Sequence, residues 1–598
     1  MNCSHKKHQN LIFILVSGLA LTLCVSCDQE PLVQRETTVE SGAETNASAI
    51  TDPFVLFSDG ICTDSTPPAP APGSYGMDPV SGKFIHPRAT PEQHESQPFE
   101  GQLEYWDNRE YAHNMEVLAY YPFIVEPFHT WQNIVDFDGR RYLYQYVRRD
   151  LNIYDITDPL NVELLLKKGQ VWGLNGGGEE VNPYPEDDYF GAASIQWDAN
   201  RGAYIMVQAF EVRRFGVLHD KRKEQDKIDL IRHTNYLKGF KVYEMNGPMP
   251  EDWTLLSERT TDRANPGAPV GEQQGSGVRD IPSWFGGKYM FVSAAPDDRH
   301  ALTEYPNDLY SAGYQAWDMS KPENPQFLAQ LTVPGQTVDD VEAFRANPRC
   351  GNRTSWFGSR MPLFIPKPVE EGGKFGFAAM GALGFYVVDI SRPEDMKIVS
   401  HLEFPPSVAG TEGDFIDVSQ FEKTGLVYFS GYPLNEDCWE PYKDIYIIDV
   451  NAPANPQIIG TLPRPAAPPD APFTDFCQRR GSFGPKRSGY YTQPGTPRDG
   501  ILPFAFYNAG VQIFDVNDPS SPEVIAYFVP KFDTENVVEW ARGNLAHGIY
   551  VEYDRNILWL FTNHGMYALT SPVLGAPDFS RISSPRVRRS DLQNPDQF

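Results

Sequence analysis

Phe385-Tyr-Val-Val-Asp-Ile-Ser-Arg-Pro393 decides the fold, because the chain writes it again and again. Leu151-Asn-Ile-Tyr-Asp-Ile-Thr-Asp-Pro159 and Tyr314-Gln-Ala-Trp-Asp-Met-Ser-Lys-Pro322 precede it. Ile445-Tyr-Ile-Ile-Asp-Val-Asn-Ala-Pro453 and Val511-Gln-Ile-Phe-Asp-Val-Asn-Asp-Pro519 follow it. Phe240-Lys-Val-Tyr-Glu-Met-Asn-Gly-Pro248 is a copy with Glu244 in place of the Asp. Each copy reads as a β-branched and aromatic strand that ends at an acid, a Thr, Ser or Asn, and a Pro. Asp and Asn bond their own backbone in turns, and Pro fixes φ while ending the ladder. A carboxylate repeated beside a turn is therefore read as a turn-former, not as chemistry.

Most copies lead into a second short strand: Val162 to Leu166, Gln326 to Leu331, Ile398 to Leu402, Gln457 to Leu462 and Glu523 to Phe528. A further β-rich run precedes each unit, at 142–147, 203–209, 289–295, 375–380, 426–431, 502–508 and 557–562. The last run leads to Gly565-Met-Tyr-Ala-Leu-Thr-Ser-Pro572, after which no outer strand follows. Met115-Glu-Val-Leu-Ala-Tyr-Tyr-Pro122 matches Pro522-Glu-Val-Ile-Ala-Tyr-Phe528, the outer strand of the sixth unit. An N-terminal strand that completes the last sheet would close a ring and remove its open edges. The pattern predicts an all-β, seven-bladed β-propeller closed by an N-terminal strand. Glu116 to Leu569 leaves about 65 residues per blade, against about 40–45 for a minimal one. The surplus predicts long rim loops, the longest near 211–238 and 464–500.

The recurring [IV]-x-[IV]-[FYVI]-D-[IV]-[SN]-x-P-x-x-P pattern resembles the LVIVD repeat of bacterial β-propeller proteins. The resemblance covers roughly residues 115–572. It implies the fold and carries no uniform activity. Glu244 and the long loops depart from it and imply a specialised member.

Composition narrows the partners. The 598 residues include 51 Lys+Arg against 79 Asp+Glu, a formal charge of −28 that repels phosphate backbones and predicts no nucleic-acid partner. With 41% hydrophobic and 22% charged residues the chain can bury a core.

The N-terminus reads as an export signal: Lys6, Lys7 and His8, then the apolar run Leu11 to Val25, too short to span a bilayer of about 30 Å comfortably. Cys24-Val25-Ser26-Cys27 resembles a bacterial lipobox, with Cys24 where Leu is usual. By that resemblance Cys27 would be cleaved free, lipidated and held to the membrane, placing the protein on a periplasmic or outer-membrane face of the bacterial cell envelope. Leu21-Thr-Leu-Cys24 supplies the Leu but leaves bulky Leu23 at the cut, and cleavage to a soluble secreted form is the other reading. Residues 1–27 are thus read as signal, 28–110 as a polar, Pro-rich tether, 111–575 as propeller and 576–598 as a polar tail. Cys62, Cys350, Cys438 and Cys477 would meet an oxidising compartment, where four cysteines allow three pairings. Cys438 and Cys477 are nearest in sequence and form the preferred disulfide pair.

Chemistry is sought just before the first strand of each blade, which lines a propeller's channel. There lie His129, Asp280, Glu412, Asp414 and His547. His129 and His547 stand nine and seven residues before the turns at Asp138 and Asp554, in blades that become neighbours when the ring closes. With Glu412 and Asp414 they could hold a divalent transition metal at the channel mouth. The alternative is that all four are channel-lining polar groups. His113, His300 and His564 are further candidates. No HExxH, GxSxG, P-loop or dinucleotide fingerprint occurs in the right context. Trp131, Trp172, Trp197, Trp284, Trp356, Trp439 and Trp540 lie in or near loops, where they could grip a protein or glycan ligand or pack between blades. The sequence therefore predicts a binding or scaffold module, with a channel-metal enzyme as alternative.

Overall fold

The computed structural model describes residues 107–122, 130–147, 150–168, 192–198, 201–210, 237–300, 311–340, 358–359, 361–402 except 382, 413–433 except 432, 443–479, 481–489, 494–532 and 545–580. It also describes a strand pair at Gly76–Met77 and Phe84–Ile85. Cys27, His129, Glu412 and Cys438 lie outside the described residues, as do Trp172, Trp356, Trp439 and Trp540.

Seven antiparallel sheets follow one another as the blades of a β-propeller. Blade 1 runs outward through Thr130–Phe137, Arg140–Val147, Asp150–Asp155 and Glu163–Lys168. Blades 2, 3 and 5 repeat that order, beginning with Ala193–Asp198, Arg279–Trp284 and Phe415–Asp417. In blade 4 the innermost strand shrinks to a bridge between Phe364 and Phe377, and in blade 6 to one between Ser488 and Phe504.

The N-terminal strand closes the ring. Glu116–Tyr121 pairs with Met566–Thr570 as the outer strand of blade 7, with Val117 opposite Leu569. The segment just before it does more than the repeat foretold: Tyr111–His113 adds an outermost strand to blade 6 by pairing with Glu523–Val529. One short stretch thus staples two neighbouring blades. Asp107 and Glu110, read in the sequence as tether, take part. Asp107 is buried and accepts the Tyr111 hydroxyl at 2.9 Å, while Tyr567 donates to Glu110 at 2.9 Å. Burial and the Asp107 carboxylate push the Tyr111 phenol up to about 12.

The repeat motif has a local and a lateral role. In each regular copy the Asp accepts the backbone N–H two residues on. The distances are 2.9 Å for Asp155 and Thr157, 2.8 Å for Asp318 and Ser320, and 2.9 Å for Asp389 and Ser391. Asp449 with Asn451 and Asp515 with Asn517 also meet at 2.9 Å. In the departing copy Glu244 instead pairs with Arg201 at 2.8 Å. The residue between acid and donor, Ile156, Met319, Ile390, Val450 or Val516, is buried. Four of the motif prolines then clasp the neighbouring blade: the preceding blade offers a hydroxyl to the Pro carbonyl. Tyr144 donates to Pro248 at 2.7 Å, Ser257 to Pro322 at 2.7 Å, Ser400 to Pro453 at 2.5 Å, and Tyr121 across the closure to Pro159 at 2.8 Å.

Apolar packing likewise lies between blades. Tyr204 and Met206 of blade 2 pack with Tyr144 and Ile153 of blade 1. Trp559 and Phe561 of blade 7 pack with Leu143 and Tyr154 of blade 1, across the closure. That seam also carries a buried charge network. Arg141 is held by Asp136 at 2.8 and 3.0 Å, by Asp554 at 2.7 and 3.0 Å, and by Glu552. Glu552 in turn accepts Arg555 at 2.8 Å and the Trp559 indole N–H at 2.6 Å. Burial alone would depress the Arg141 guanidinium, but Glu552, Asp136 and Asp554 more than offset it and raise its proton affinity.

Candidate functional site

In an antiparallel four-stranded blade, the turns between strands one and two and between three and four lie at one end. The connections between strands two and three, and from blade to blade, lie at the other. Here the first end carries the repeat turns. At the second end lie the strand ends that flank the long connections, among them those bounding 169–192, 211–238, 332–363 and 462–487. Innermost strands start at that second end, so their first residues gather around its mouth.

Blade 1 contributes Trp131, whose indole N–H donates to Asp280 of blade 3 at 2.9 Å. Blade 6 contributes Arg487, whose guanidinium lies 4.1 Å from the centre of the Trp131 ring and donates to the Met361 sulfur of blade 4 at 3.8 Å. The neighbouring Lys486 reaches Asp414 of blade 5 at 3.0 Å, with both side chains buried. Asp417, at the far end of the same inner strand, accepts the Ser488 hydroxyl. Blade 7 contributes His547, buried edge-on to Tyr507 with ring centres 5.2 Å apart.

Two of these residues hold unusual backbone. Asp280 has φ +53° within an inner strand whose register shifts beside it. Tyr507 has φ +40° in the turn Tyr507–Ala509. Positive φ costs an L-residue with a bulky side chain of order 1–3 kcal/mol, and such strain concentrates at functional sites. Gly510 makes the Tyr507 turn affordable: at φ +70° its Cα lies where a Cβ would meet the Phe528 carbonyl at 2.0 Å.

Of the four metal candidates, His129 and Glu412 lie outside the described residues. His547 and Asp414 both stand at the starts of inner strands, in blades 7 and 5. Asp414 is answered there by the Lys486 ammonium. Among the described residues no three His, Cys, Asp or Glu are grouped as a metal ion would need. The three further histidine candidates are engaged elsewhere. His113 packs on Tyr527, His564 meets the Thr562 hydroxyl at 3.0 Å, and His300 meets Asp297 at 3.3 Å. Cys477 is buried and disulfide-bonded; Cys438 lies outside the described residues.

Sequence reasoning placed Asp280, Asp414 and His547 near the axis but missed Lys486 and Arg487. They precede the one-residue bridge of blade 6, so no apolar run flags the start of an inner strand there. Trp131 stood out as an aromatic, but its partners come from residues 149 and 356 positions away, which no local pattern reveals.

No family model matches the chain, and no curated protein matches it. Among solved structures it is similar to a chain from a structural and mechanistic analysis of two prolyl endopeptidases, at 10% identity and a TM-score of 0.32. That likeness covers 68% of this chain and 43% of the other, so the chain spans less than half the length of that relative.

Proposed function

We propose that this protein is an exported, lipid-anchored propeller of the LVIVD-repeat type. Lipid on Cys27 holds it at the bacterial cell envelope. It acts as a binding or scaffold module that takes a protein or glycan ligand at the long-connection end of the ring. The observation that carries this reading is the convergence of Trp131, Asp280 and Arg487 from three blades at one mouth of the channel. An aromatic ring with a stacked guanidinium offers apolar area and directed donors together, the combination that binding hot spots favour.

Two experiments test it. Metabolic labelling with a palmitate analogue should mark the full-length protein and fail on Cys27→Ser; equal labelling of both would remove the anchor. Envelope cross-linking and glycan arrays should report a ligand lost on Trp131→Ala with the fold retained. Robust turnover of a small substrate by the purified protein would overturn the binding-module reading.

A second reading has His547 in its favour, placed in the same ring of inner-strand starts. It is a metal-dependent enzyme with His129, His547, Glu412 and Asp414 around a divalent transition metal. Elemental analysis of protein purified without added metal should then show a stoichiometric ion, lost on His129→Ala with His547→Ala.

A further inference from the structure

The turn end of the ring is closed by short links in blades 1, 3 and 7, at 138–139, 285–288 and 553–556. Three consecutive blades break this rule. In blades 4, 5 and 6 the corresponding links are 365–374, 418–425 and 489–500. A cleft of about 420 Å³ opens between the described parts of these links, at 366–371, 418–423 and 496–499. That volume falls in the range of small-molecule sites, roughly 300–1,000 Å³.

The cleft is firm. Gly373 N–H donates to the Pro368 carbonyl at 2.9 Å, closing the blade 4 link on itself. Gln420 ties the blade 5 link to that of blade 6, donating to the Arg498 carbonyl at 3.0 Å and accepting from Gly500 N–H at 2.8 Å. Phe421, in the four-residue helix Phe421–Thr424, packs edge-on against Phe377 of blade 4 at 5.1 Å. Pro366 and Val418 are buried at its base, and Pro497 adds a rigid wall. Proline walls lose little freedom when a ligand arrives.

Charges of both signs surround the apolar base. Lys423 faces Asp499 at 2.7 Å, and Lys367 faces Glu422 at 4.0 Å. All four side chains are at least 40% exposed. Exposed pairs of this kind are worth about 0–1 kcal/mol, so a ligand's own charges can exchange with theirs. A purely anionic ligand would be repelled by Glu422 and Asp499, and a purely cationic one by the two lysines. A molecule with an apolar body and both charges satisfies base and rim together.

We propose that this cleft is a second ligand site, at the opposite end of the ring from the axial cluster. It takes small zwitterions with an apolar body, the chemistry of an amino acid or dipeptide. The ligand carboxylate meets Lys423 or Lys367, its ammonium meets Asp499 or Glu422, and its side chain covers Pro366 and Val418.

Saturation-transfer NMR and calorimetry on the purified protein test this with glycyl-L-leucine. N-acetyl-L-leucine amide, which lacks both charges, is the comparison. The dipeptide should bind saturably and the blocked analogue about tenfold more weakly, the loss expected when roughly 1.4 kcal/mol of polar contact goes. Lys423→Ala and Asp499→Ala, both at exposed positions, should each weaken the dipeptide severalfold with unchanged circular dichroism. Trp131→Phe at the far end should leave it alone. Equal affinity for the blocked analogue, indifference to both variants, or no saturation up to about 10 mM would each overturn the proposal, the last being weaker than any useful site.

Discussion

The two ends of the ring are built from the same seven sheets, yet they solve their polar problems in opposite ways. At the turn end the repeat Asp is satisfied two residues along its own chain, and the motif Pro carbonyl by the blade next door. At the long-connection end the buried groups find partners in other blades: Trp131 in Asp280 two blades on, Lys486 in Asp414 of the preceding blade. The first solution can be copied into any blade. The second needs several blades in place, and its Trp131–Arg487 stack, joining blades 1 and 6, exists only once the ring has closed; each blade brings a different residue. Repetition therefore marks structure here, and departure from repetition marks the place where individual chemistry is spent.

The closure seam is where the contrast is tested hardest, because there the turn end also depends on a remote partner. Arg141→Ala would strand Asp136, Glu552 and Asp554 around a missing cation in a buried site. Breaking one partner out of such a network costs about 3–5 kcal/mol. Urea unfolding followed by fluorescence should show a loss of that size, with a smaller loss for Arg141→Lys, which keeps the charge but not the fork. A loss below about 1 kcal/mol would mean that apolar packing of Trp559 and Phe561 against blade 1 closes the ring without the ions.

Next in size stands the axial cluster. Trp131→Phe keeps an aromatic surface under Arg487 and deletes the N–H that Asp280 accepts. Hydrogen bonds to charged groups are worth about 1.5–3 kcal/mol, so the unfolding free energy should fall within that span. The same variant should weaken the envelope ligand of the proposed function, while a seam variant such as Arg141→Lys should not. If both variants lost ligand equally, binding would depend on ring stability rather than on the axial residues.

The ease with which the sequence can be read follows the same division. The motif around Phe385 and its copies specify blades, turns and ring size, because a β-strand's period and an Asp-x-Ser turn are local properties. Even the closure was visible, in the likeness of Met115 to Pro122 to an outer strand. Tyr111–His113 was not, because three residues carry no period, and what fixes them is Asp107 against Tyr111 and the buried Arg479. The axial residues were half legible. Asp280, Asp414 and His547 are marked by their place before strands, whereas Lys486 and Arg487 precede a strand reduced to one bridge. The turn-end cleft was wholly hidden, since it arises from the lengths of three links meeting in space.

A single repeat turn should cost less than either. Asp515→Ala removes one acceptor for Asn517 N–H and its amide, in a turn that keeps its buried Val516. About 0.5–1.5 kcal/mol is the expected loss. Ser257→Ala, which unclasps blade 2 from Pro322, should cost a similar amount. Equal losses at the two sites would say that the lateral clasp matters as much as the turn itself, and chevron or urea midpoints resolve such differences.

The smallest effect separates a buried titrating group from this background. His300 sits at the long-connection end of blade 3, between Asp297 at 3.3 Å and the Thr332 hydroxyl at 3.5 Å, with Arg299 on the same carboxylate. Burial lowers its proton affinity, and Asp297 opposes this without cancelling it. The unfolded chain therefore takes up the proton first as the solution is acidified below about pH 6.5. Stability contributed by neutral His300 is present above that value and drains away on the acid side. Asp297 acts lower in the scale. Burial would raise it, but the bonds from Arg299 more than compensate, so its contribution is lost only in stronger acid. Urea midpoints at pH 7.5 and pH 5.5 should thus fall further in the wild type than in His300→Gln. Parallel falls would assign the acid sensitivity to other groups and leave His300 as a neutral spacer between two connections.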